Sequence, residues 1–230
     1  MSFDSIIARL ETSIDATDRV KAAAELGEVG TPEVAPILLK AVWEDSQSGV
    51  RQAAITSYVE VLGEDAYPEL EKVITSHFDA YVRLNAISML SKLPKDMSLQ
   101  LLQKGLDSDD DKVRTLSIRE LYLIGAKELA PRFVELLRTE SYHLAKRNLI
   151  EALAIWKVNE AKDIIKQVIS QDSDPEIQGI GVFGLAALGE PGAKEKLENM
   201  DIDPFIRIKF DNEWFRGKEG LLSLLKRIND

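Results

Sequence analysis

One stretch of this chain matches a motif of known chemistry: the residues from Gly179 to Gly184 are Gly-Ile-Gly-Val-Phe-Gly. The spacing G-x-G-x-x-G binds the pyrophosphate of a dinucleotide when it connects a strand to the start of a helix. Here the helical spacing of apolar residues continues through the stretch, so its glycines lie inside a predicted helix. Glycine there allows a neighbouring helix to approach closely and costs up to ~1 kcal/mol of helix stability. The stretch therefore predicts close packing and a helix of low intrinsic stability rather than a nucleotide site.

Other chemistry-bearing residues are sparse. His77 and His143 have no second histidine or carboxylate at metal-ligand spacing. The acidic run Asp107–Asp111 lacks the central Gly and terminal Glu of a calcium-binding loop, so it predicts a capped, solvated turn. The chain contains no cysteine, and no serine-hydrolase, P-loop or zinc-protease motif occurs. We expect no catalytic residue, no metal and no cofactor.

Composition narrows the class of partner. The formal net charge is −10, which disfavours nucleic acids and anionic membrane surfaces because both are bound through clustered Lys and Arg. No apolar run approaches the ~20 residues that a membrane-spanning helix needs. The first residues lack the basic and apolar regions of a signal peptide. These features predict a cytoplasmic protein that binds neither nucleic acid nor membrane.

A short phrase recurs along the chain: most copies begin with an acidic residue, most have an apolar residue three positions later, such as Val113, and most have a basic residue four positions later. The later position is occupied in seven copies by Arg19, Arg51, Arg83, Arg114, Lys146, Gln178 and Arg207. The spacings are 32, 32, 31, 32, 32 and 29 residues. A fixed period of this size is typical of a solenoid of stacked repeats.

The period also predicts the content of each repeat. Apolar or small residues three, four and seven positions after the basic residue of each copy indicate one helix. An earlier amphipathic helix is predicted at Pro32–Trp43, Tyr67–Ser76, Met97–Leu106, Leu129–Leu137 and Ala161–Ile169. No run alternates with the period of a strand. We predict an all-α fold, an α-solenoid of about seven helical hairpins from Phe3–Leu10 to a capping helix at Gly220–Ile228, in a single domain over residues 1–230.

The acidic residue of the phrase has two predicted roles. An Asp at that offset caps the helix that follows it. It can also pair with the Arg of its own or the next repeat, which would form a structural ladder. The predicted ladder comprises Arg19, Arg51, Arg83, Arg114, Arg207, Asp79, Asp110, Asp174 and Asp203.

The segments Glu33–Ala41 and Asp79–Ile87 resemble HEAT repeats, and more specifically the short variety of phycobilisome lyase subunits. The resemblance covers the chain from about Asp15 to Arg216. It implies a helical solenoid, whereas members of the family include scaffolds, chaperones, lyase subunits and a few enzymes. Because the lyase subunits work in pairs, the resemblance also implies that this chain could form a heterodimer.

Residues three, six and ten positions after the apolar residue of each phrase face away from the core stripe, onto a predicted concave surface that we call the inner wall. In the early repeats these residues are mostly polar or small. In the fourth to sixth repeats an apolar patch is predicted at Leu116, Leu123, Ile155, Ile180 and Phe183. Such a patch is typical of an interaction surface, unless helix curvature or a neighbour buries it. Trp156 falls at a core position.

Two further surfaces have alternative interpretations. A basic spot of His143, Lys146 and Arg147 is either a docking point for an acidic partner or neutral drift of the fifth repeat. The aromatic residues near the C-terminus form either the cap that a terminal repeat needs or a second docking surface. They are Phe205, Phe210, Trp214 and Phe215.

These features favour a non-catalytic scaffold that binds a protein or peptide on its inner wall. The alternative implied by the family resemblance is a bilin lyase or chromophore-handling subunit, which visible absorbance after mixing with bilin would reveal. A third class, a DNA-repair glycosylase built on similar helices, conflicts with the net charge of −10.

Overall fold

A computed structural model describes residues 2–229. Contacts divide the chain into two compact units, Met1–Glu120 and Leu121–Asp230, and the boundary falls near the end of one helix. The single domain over residues 1–230 stays a prediction.

The first unit consists of helical hairpins. The helices are α1 (Phe3–Thr12), α2 (Ala16–Val29), α3 (Ala35–Glu44), α4 (Ser48–Leu62), α5 (Tyr67–Ser76), α6 (Ala80–Met89), α7 (Lys95–Gly105) and α8 (Asp111–Leu123), whose last residues belong to the second unit. Helices α2, α4 and α6 pack side by side, as expected when each repeat buries its apolar stripe against the next. The described part of this unit therefore has the stacked architecture that the period predicts.

The second unit begins with two more hairpins. They are formed by α9 (Ala130–Thr139) with α10 (His143–Ile155) and by α11 (Lys162–Gln171) with α12 (Pro175–Ala187). A short α13 (Ala193–Asn199), the strands β1 (Arg207–Phe210) and β2 (Glu213–Arg216), and α14 (Gly217–Asn229) complete it. The predicted fold class, an all-α solenoid with a terminal helix, is confirmed.

The helix boundaries follow the local chemistry. The carboxylate of Asp79 accepts a 2.9 Å hydrogen bond from the amide of Tyr81, and Asp174 accepts one of 2.8 Å from Glu176. Gly30 and Gly125 follow α2 and α8 with φ angles of 67° and 74°, which residues with a side chain rarely adopt. These caps explain why the sequence located the helices well.

The prediction of a seventh helical hairpin is wrong, because Arg207 lies in a β-hairpin. Strands β1 and β2 are antiparallel, with Ile208 opposite Phe215. Their two-residue turn, Asp211 and Asn212, has φ angles of 50° and 63°, the positive values that tight hairpin turns require. Six helical hairpins are therefore present in residues 2–229, and the hairpin strands take the place of the seventh.

Ion pairs join successive repeats at the predicted ladder. Arg19 contacts Asp45 at 2.8 Å, and Arg51 binds Asp79. Arg83 donates to Asp110 over 3.1 Å. The basic side chain also donates to a carbonyl six residues earlier, as from Arg114 to Ser108 over 2.9 Å. The hydrogen bond to the carbonyl links the basic side chain to the turn of its own repeat. Where the paired acid belongs to the next repeat, the ion pair also joins the two repeats.

Three members of the predicted ladder have other roles. In the sixth repeat the acid that pairs with Lys146 is Asp172, at 2.7 Å, while Asp174 only caps its helix. Asp203 accepts a hydrogen bond from the amide of Phe205. Arg207 stacks over the ring of Trp214, 4.9 Å from its centroid. The ladder prediction is wrong for Asp203 and Arg207 because the chain leaves the helical repeat after α13, and for Asp174 because Asp172 takes its place as the partner of Lys146.

Candidate partner-binding site

A cleft in the second unit combines apolar and cationic side chains. Its volume is about 730 Å³, within the range of ligand-binding clefts. The C-terminal ends of α8, α10 and α14 line it together with the turn of the β-hairpin. We call it the α8–α10 cleft. Its apolar lining consists of Leu123, Ile155, Trp156, Phe210 and Ile228.

Two predicted patch residues lie at this cleft because of their positions in the repeats. Leu123 and Ile155 are the last residues of α8 and α10, ten positions after the apolar residue of each phrase. The side chain of Leu123 is 48% exposed, and Ile155 is half-buried. Neither residue is needed to complete the core, so both remain accessible to another molecule.

An aromatic group fixes one side of the cleft. The ring of Trp156 lies 5.1 Å from that of Phe133 and 6.2 Å from that of Tyr122, between ring centroids. Contacts at these distances stabilise a fixed ring orientation. Trp156 therefore packs as the sequence predicts, yet it also lines the cleft, which the sequence analysis did not anticipate.

The β-hairpin is attached to the helices by two side chains. The hydroxyl of Tyr122 donates a 3.0 Å hydrogen bond to the carbonyl of Lys209. The guanidinium of Arg147 donates to the carbonyl of Arg207. Residues 207 and 209 alternate with 208 along β1, so both carbonyls point to the same edge of the strand. These bonds hold one wall of the cleft in place.

A buried carboxyl lies beside this attachment. Glu151 is 7% exposed and its carboxylate is 3.8 Å from the guanidinium of Arg147. Burial raises the pKa of Glu151 to about 7, while Arg147 lowers it and Glu176 raises it further. Burial, with a smaller effect of Glu151, also raises the pKa of Tyr122. Tyr122, Arg147 and Glu151 therefore form a polar cluster beside the β-hairpin.

The apolar patch is smaller than predicted. Ile180 and Phe183 are fully buried, so their assignment to an exposed inner wall is wrong. The reason is that α12 packs against α10, α11, α13 and α14, which leaves none of its faces open. Leu116 is half-buried in the first unit. Only Leu123 and Ile155 of the predicted set line the cleft.

The glycines of α12 explain how it can be enclosed. A Cβ atom at Gly181 would lie 2.1 Å from Ile169, and one at Gly184 would lie 3.0 Å from Ile150. At Gly179 it would lie 3.1 Å from Ile202 and Ile206. Each glycine therefore allows a different side chain to pack closely against α12, which is the close packing predicted for this stretch. The motif lies inside a buried helix, which leaves no phosphate-facing turn.

The basic spot is not one exposed patch. Lys146 is engaged with Asp172, and this ion pair lowers the pKa of the Asp172 carboxyl. Arg147 lies 2.9 Å from Glu176 and bonds the β-hairpin. His143 alone is exposed. The interpretation of these residues as a free docking point is therefore wrong, because Lys146 and Arg147 stabilise the fold.

The C-terminal aromatic residues are divided between core and surface. Phe215 is buried and Phe210 is half-buried, as a cap requires. Phe205 and Trp214 are exposed. The cap interpretation therefore holds for only part of the set.

Neither histidine belongs to a metal-like cluster. Within residues 2–229, no group of three or more histidine or carboxylate side chains could hold a metal ion. His77 is fully buried, with Nε2 2.9 Å from the carbonyl of Val42, and its Nδ1 accepts a 3.0 Å bond from the amide of Asp79.

Across the same described residues, no helix has both the length and the apolar content to cross a bilayer.

Sequence reasoning missed several residues of the cleft. Lys127, Lys157, Lys209 and Arg227 give it a cationic rim. Lys157 has a φ angle of 60° just after α10, an unusual value for a residue with a side chain. No local pattern of charges or spacing marks these residues, since they come from elements far apart in the sequence. Folding of the β-hairpin and α14 brings them together.

The stacked hairpins and the ladder of ion pairs define the chain as a helical-repeat protein of the α-solenoid class. Residues 3–77 and 67–154 match the model of the family described as HEAT repeats, which together span most of the chain. The chain belongs to the HEAT repeat family.

Several solved structures are similar to this chain, among them the following two. An X-ray structure of YibA from Escherichia coli has a TM-score of 0.64 and 16% identity, over 99% of this chain and 82% of that one. The complex of CpcE and CpcF of phycocyanin lyase from Nostoc sp. has a TM-score of 0.48 and 19% identity, over 89% of this chain and 83% of that one. No curated protein matches the sequence significantly. At these identities the similarity concerns the fold and not the activity.

Proposed function

We propose that this chain is a non-catalytic HEAT-repeat protein that binds a protein or peptide partner in the α8–α10 cleft. The observation that carries the proposal is the position of Leu123, an apolar side chain that is 48% exposed at the cleft. Such a site gains most of its binding energy from a few apolar or aromatic anchors that become buried in the complex.

The geometry supports a binding role more than a reaction. The strongly shifted groups nearby, Tyr122 and Glu151, are engaged with the β-hairpin and with Arg147. A polypeptide partner, as in a heterodimer, also suits a chain of net charge −10 better than a nucleic acid or a membrane. The cytoplasmic location predicted from the sequence is part of the same proposal.

An experiment with matched variants tests the proposal. The full chain, Leu123→Asp and Val29→Asp would each be used to isolate partners from the native source, with quantification by mass spectrometry. Val29 is a suitable control because it is also the last residue of its helix and is 40% exposed. We expect a specific partner to be retained by the full chain and by Val29→Asp but lost by Leu123→Asp. Equal retention by both variants would contradict the proposal.

A further inference from the structure

The α8–α10 cleft differs in charge from the protein around it. Lys127, Lys157, Lys209 and Arg227 line it, and the carboxylates of Asp211 and Glu213 pair with Arg227, at 2.6 and 2.7 Å. Four cations and two carboxylates give a local charge of +2, against −10 for the whole chain.

Three of these cations have no carboxylate partner within the part of the chain that the structure describes. Lys157 donates to the carbonyl of Ala187 over 2.7 Å and to the side-chain amide oxygen of Asn229, which fixes its ammonium group. Lys127 is exposed and Lys209 is half-buried, and neither forms an ion pair among residues 2–229. Their charges remain available to a ligand.

The helix ends offset part of this positive charge. Helices α8, α10 and α14 end at the cleft, and a helix C-terminus carries about half a negative charge. The summed effect is smaller than the local charge of the side chains, so the cleft stays weakly positive. An acidic ligand therefore gains specificity from the lysines, whereas most of its binding energy comes from the apolar lining.

From these observations we infer that the α8–α10 cleft binds a short acidic peptide segment, with one or two apolar anchors flanked by Asp or Glu. The anchors contact Leu123, Ile155 and Trp156, and the carboxylates meet Lys127 and Lys209. The cleft volume of about 730 Å³ suits a few side chains rather than a folded domain. This inference rests on the proposed function and adds the chemistry of the partner.

A peptide selection tests the acidic chemistry of the ligand separately from the proposed binding of a partner in the cleft. A random peptide display library would be selected on the full chain, with counter-selection on the chain carrying Leu123→Asp. We expect enriched peptides rich in Asp, Glu and apolar residues. Enriched peptides that depend on Leu123 but lack acidic residues would overturn the acidic chemistry and leave the proposed function standing. Peptides that bind equally well to Leu123→Asp, or no enrichment at all, would overturn both.

Charge variants complete the test. The fluorescence anisotropy of an enriched labelled peptide would be measured with Lys127→Glu and Lys209→Glu combined, and with Lys95→Glu as control. Lys95 is exposed at the start of α7 and is not among the residues that line the α8–α10 cleft. We expect about tenfold weaker binding for the double variant, since each exposed charge pair contributes modestly, and unchanged binding for the control. An equal affinity in all three proteins would overturn the inference.

Discussion

The phenol of Tyr122 and the main-chain carbonyl of Lys209 are joined by a 3.0 Å hydrogen bond across 87 positions of sequence. This bond attaches β1 to the end of α8, where the cleft begins. Together with the bond from Arg147 to the carbonyl of Arg207, it makes the C-terminal segment part of the proposed binding site. The site therefore depends on an element that is not a HEAT repeat.

Tyr122→Phe tests the attachment. Removing the hydroxyl leaves the Lys209 carbonyl without this donor, which we expect to lower the free energy of unfolding by about 1 kcal/mol. Hydrogen exchange of residues 207–210 should also become faster. Tyr67→Phe is the matched control, because its hydroxyl bonds Gln100 at an exposed site and should contribute little. Equal effects of the two variants in urea denaturation would show that the bond to β1 is unimportant.

Deletion of residues 201–230 tests why Ile180 and Phe183 are buried. Gly179 lies against Ile202 and Ile206, and α12 packs on α14, so the deletion should uncover one face of α12. We expect increased binding of a hydrophobic dye and a greater tendency to aggregate, because a large apolar surface would be exposed. A truncated chain that is monomeric and binds no more dye than the full chain would contradict this description.

Gly181→Ala should destabilise the protein although alanine is the better helix former. The added Cβ would approach Ile169 at 2.1 Å, and such overpacking typically costs about 1–3 kcal/mol. Gly49→Ala in α4 is the control, since its nearest neighbour would be Val20 at 3.9 Å. There the helix propensity should prevail and stabilise by up to ~1 kcal/mol. Thermal unfolding of both variants measures the difference, and a stabilised Gly181→Ala would refute close packing at α12.

Stability should decrease as the pH rises through neutrality because of Glu151. Burial raises the pKa of Glu151 from 4.5 to about 7, despite the neighbouring Arg147, while Glu176 acts in the same direction as burial. The folded state therefore holds a proton that the unfolded state has already lost. The stabilisation is complete below pH 4.5 and disappears as the pH passes about 7. The rise of the pKa from 4.5 to about 7 corresponds to about 3 kcal/mol.

Glu151→Gln isolates this effect, because glutamine keeps the shape of the side chain and cannot ionise. Urea denaturation at several pH values should give the variant a flatter profile than the wild type between pH 4.5 and 8. Arg147, Glu176 and Tyr122 are unchanged in both proteins, so the difference between the profiles belongs to Glu151. Parallel profiles would mean that its pKa is not raised.

The sequence predicted the repeat architecture well because the signals for it are local. The capping by Asp79 and Asp174 and the turns at Gly30 and Gly125 depend on residues within one helix boundary. The pairing of Arg51 with Asp79 follows from a spacing that recurs with the repeat. Stacking imposes the same geometry on each copy, so one pattern describes several hairpins.

The candidate site was harder to predict because its residues meet only after the chain leaves the repeat. Ile180 has the same periodic position as Leu116, yet it is fully buried because α12 packs against α10, α11, α13 and α14. The Asp211–Asn212 turn was a local signal for a hairpin, but the continuing period favoured another helix. The cationic rim of Lys157, Lys209 and Arg227 has no local signal.

Hydrogen exchange of the full chain, with and without an enriched acidic peptide, tests binding at the α8–α10 cleft most directly. We predict increased protection in the segments 122–127, 155–158 and 209–212, which contain residues that line the α8–α10 cleft. The helices α2, α4 and α6 of the first unit should exchange at unchanged rates. Protection confined to those three helices, with none at the cleft, would contradict binding of the acidic peptide in the α8–α10 cleft.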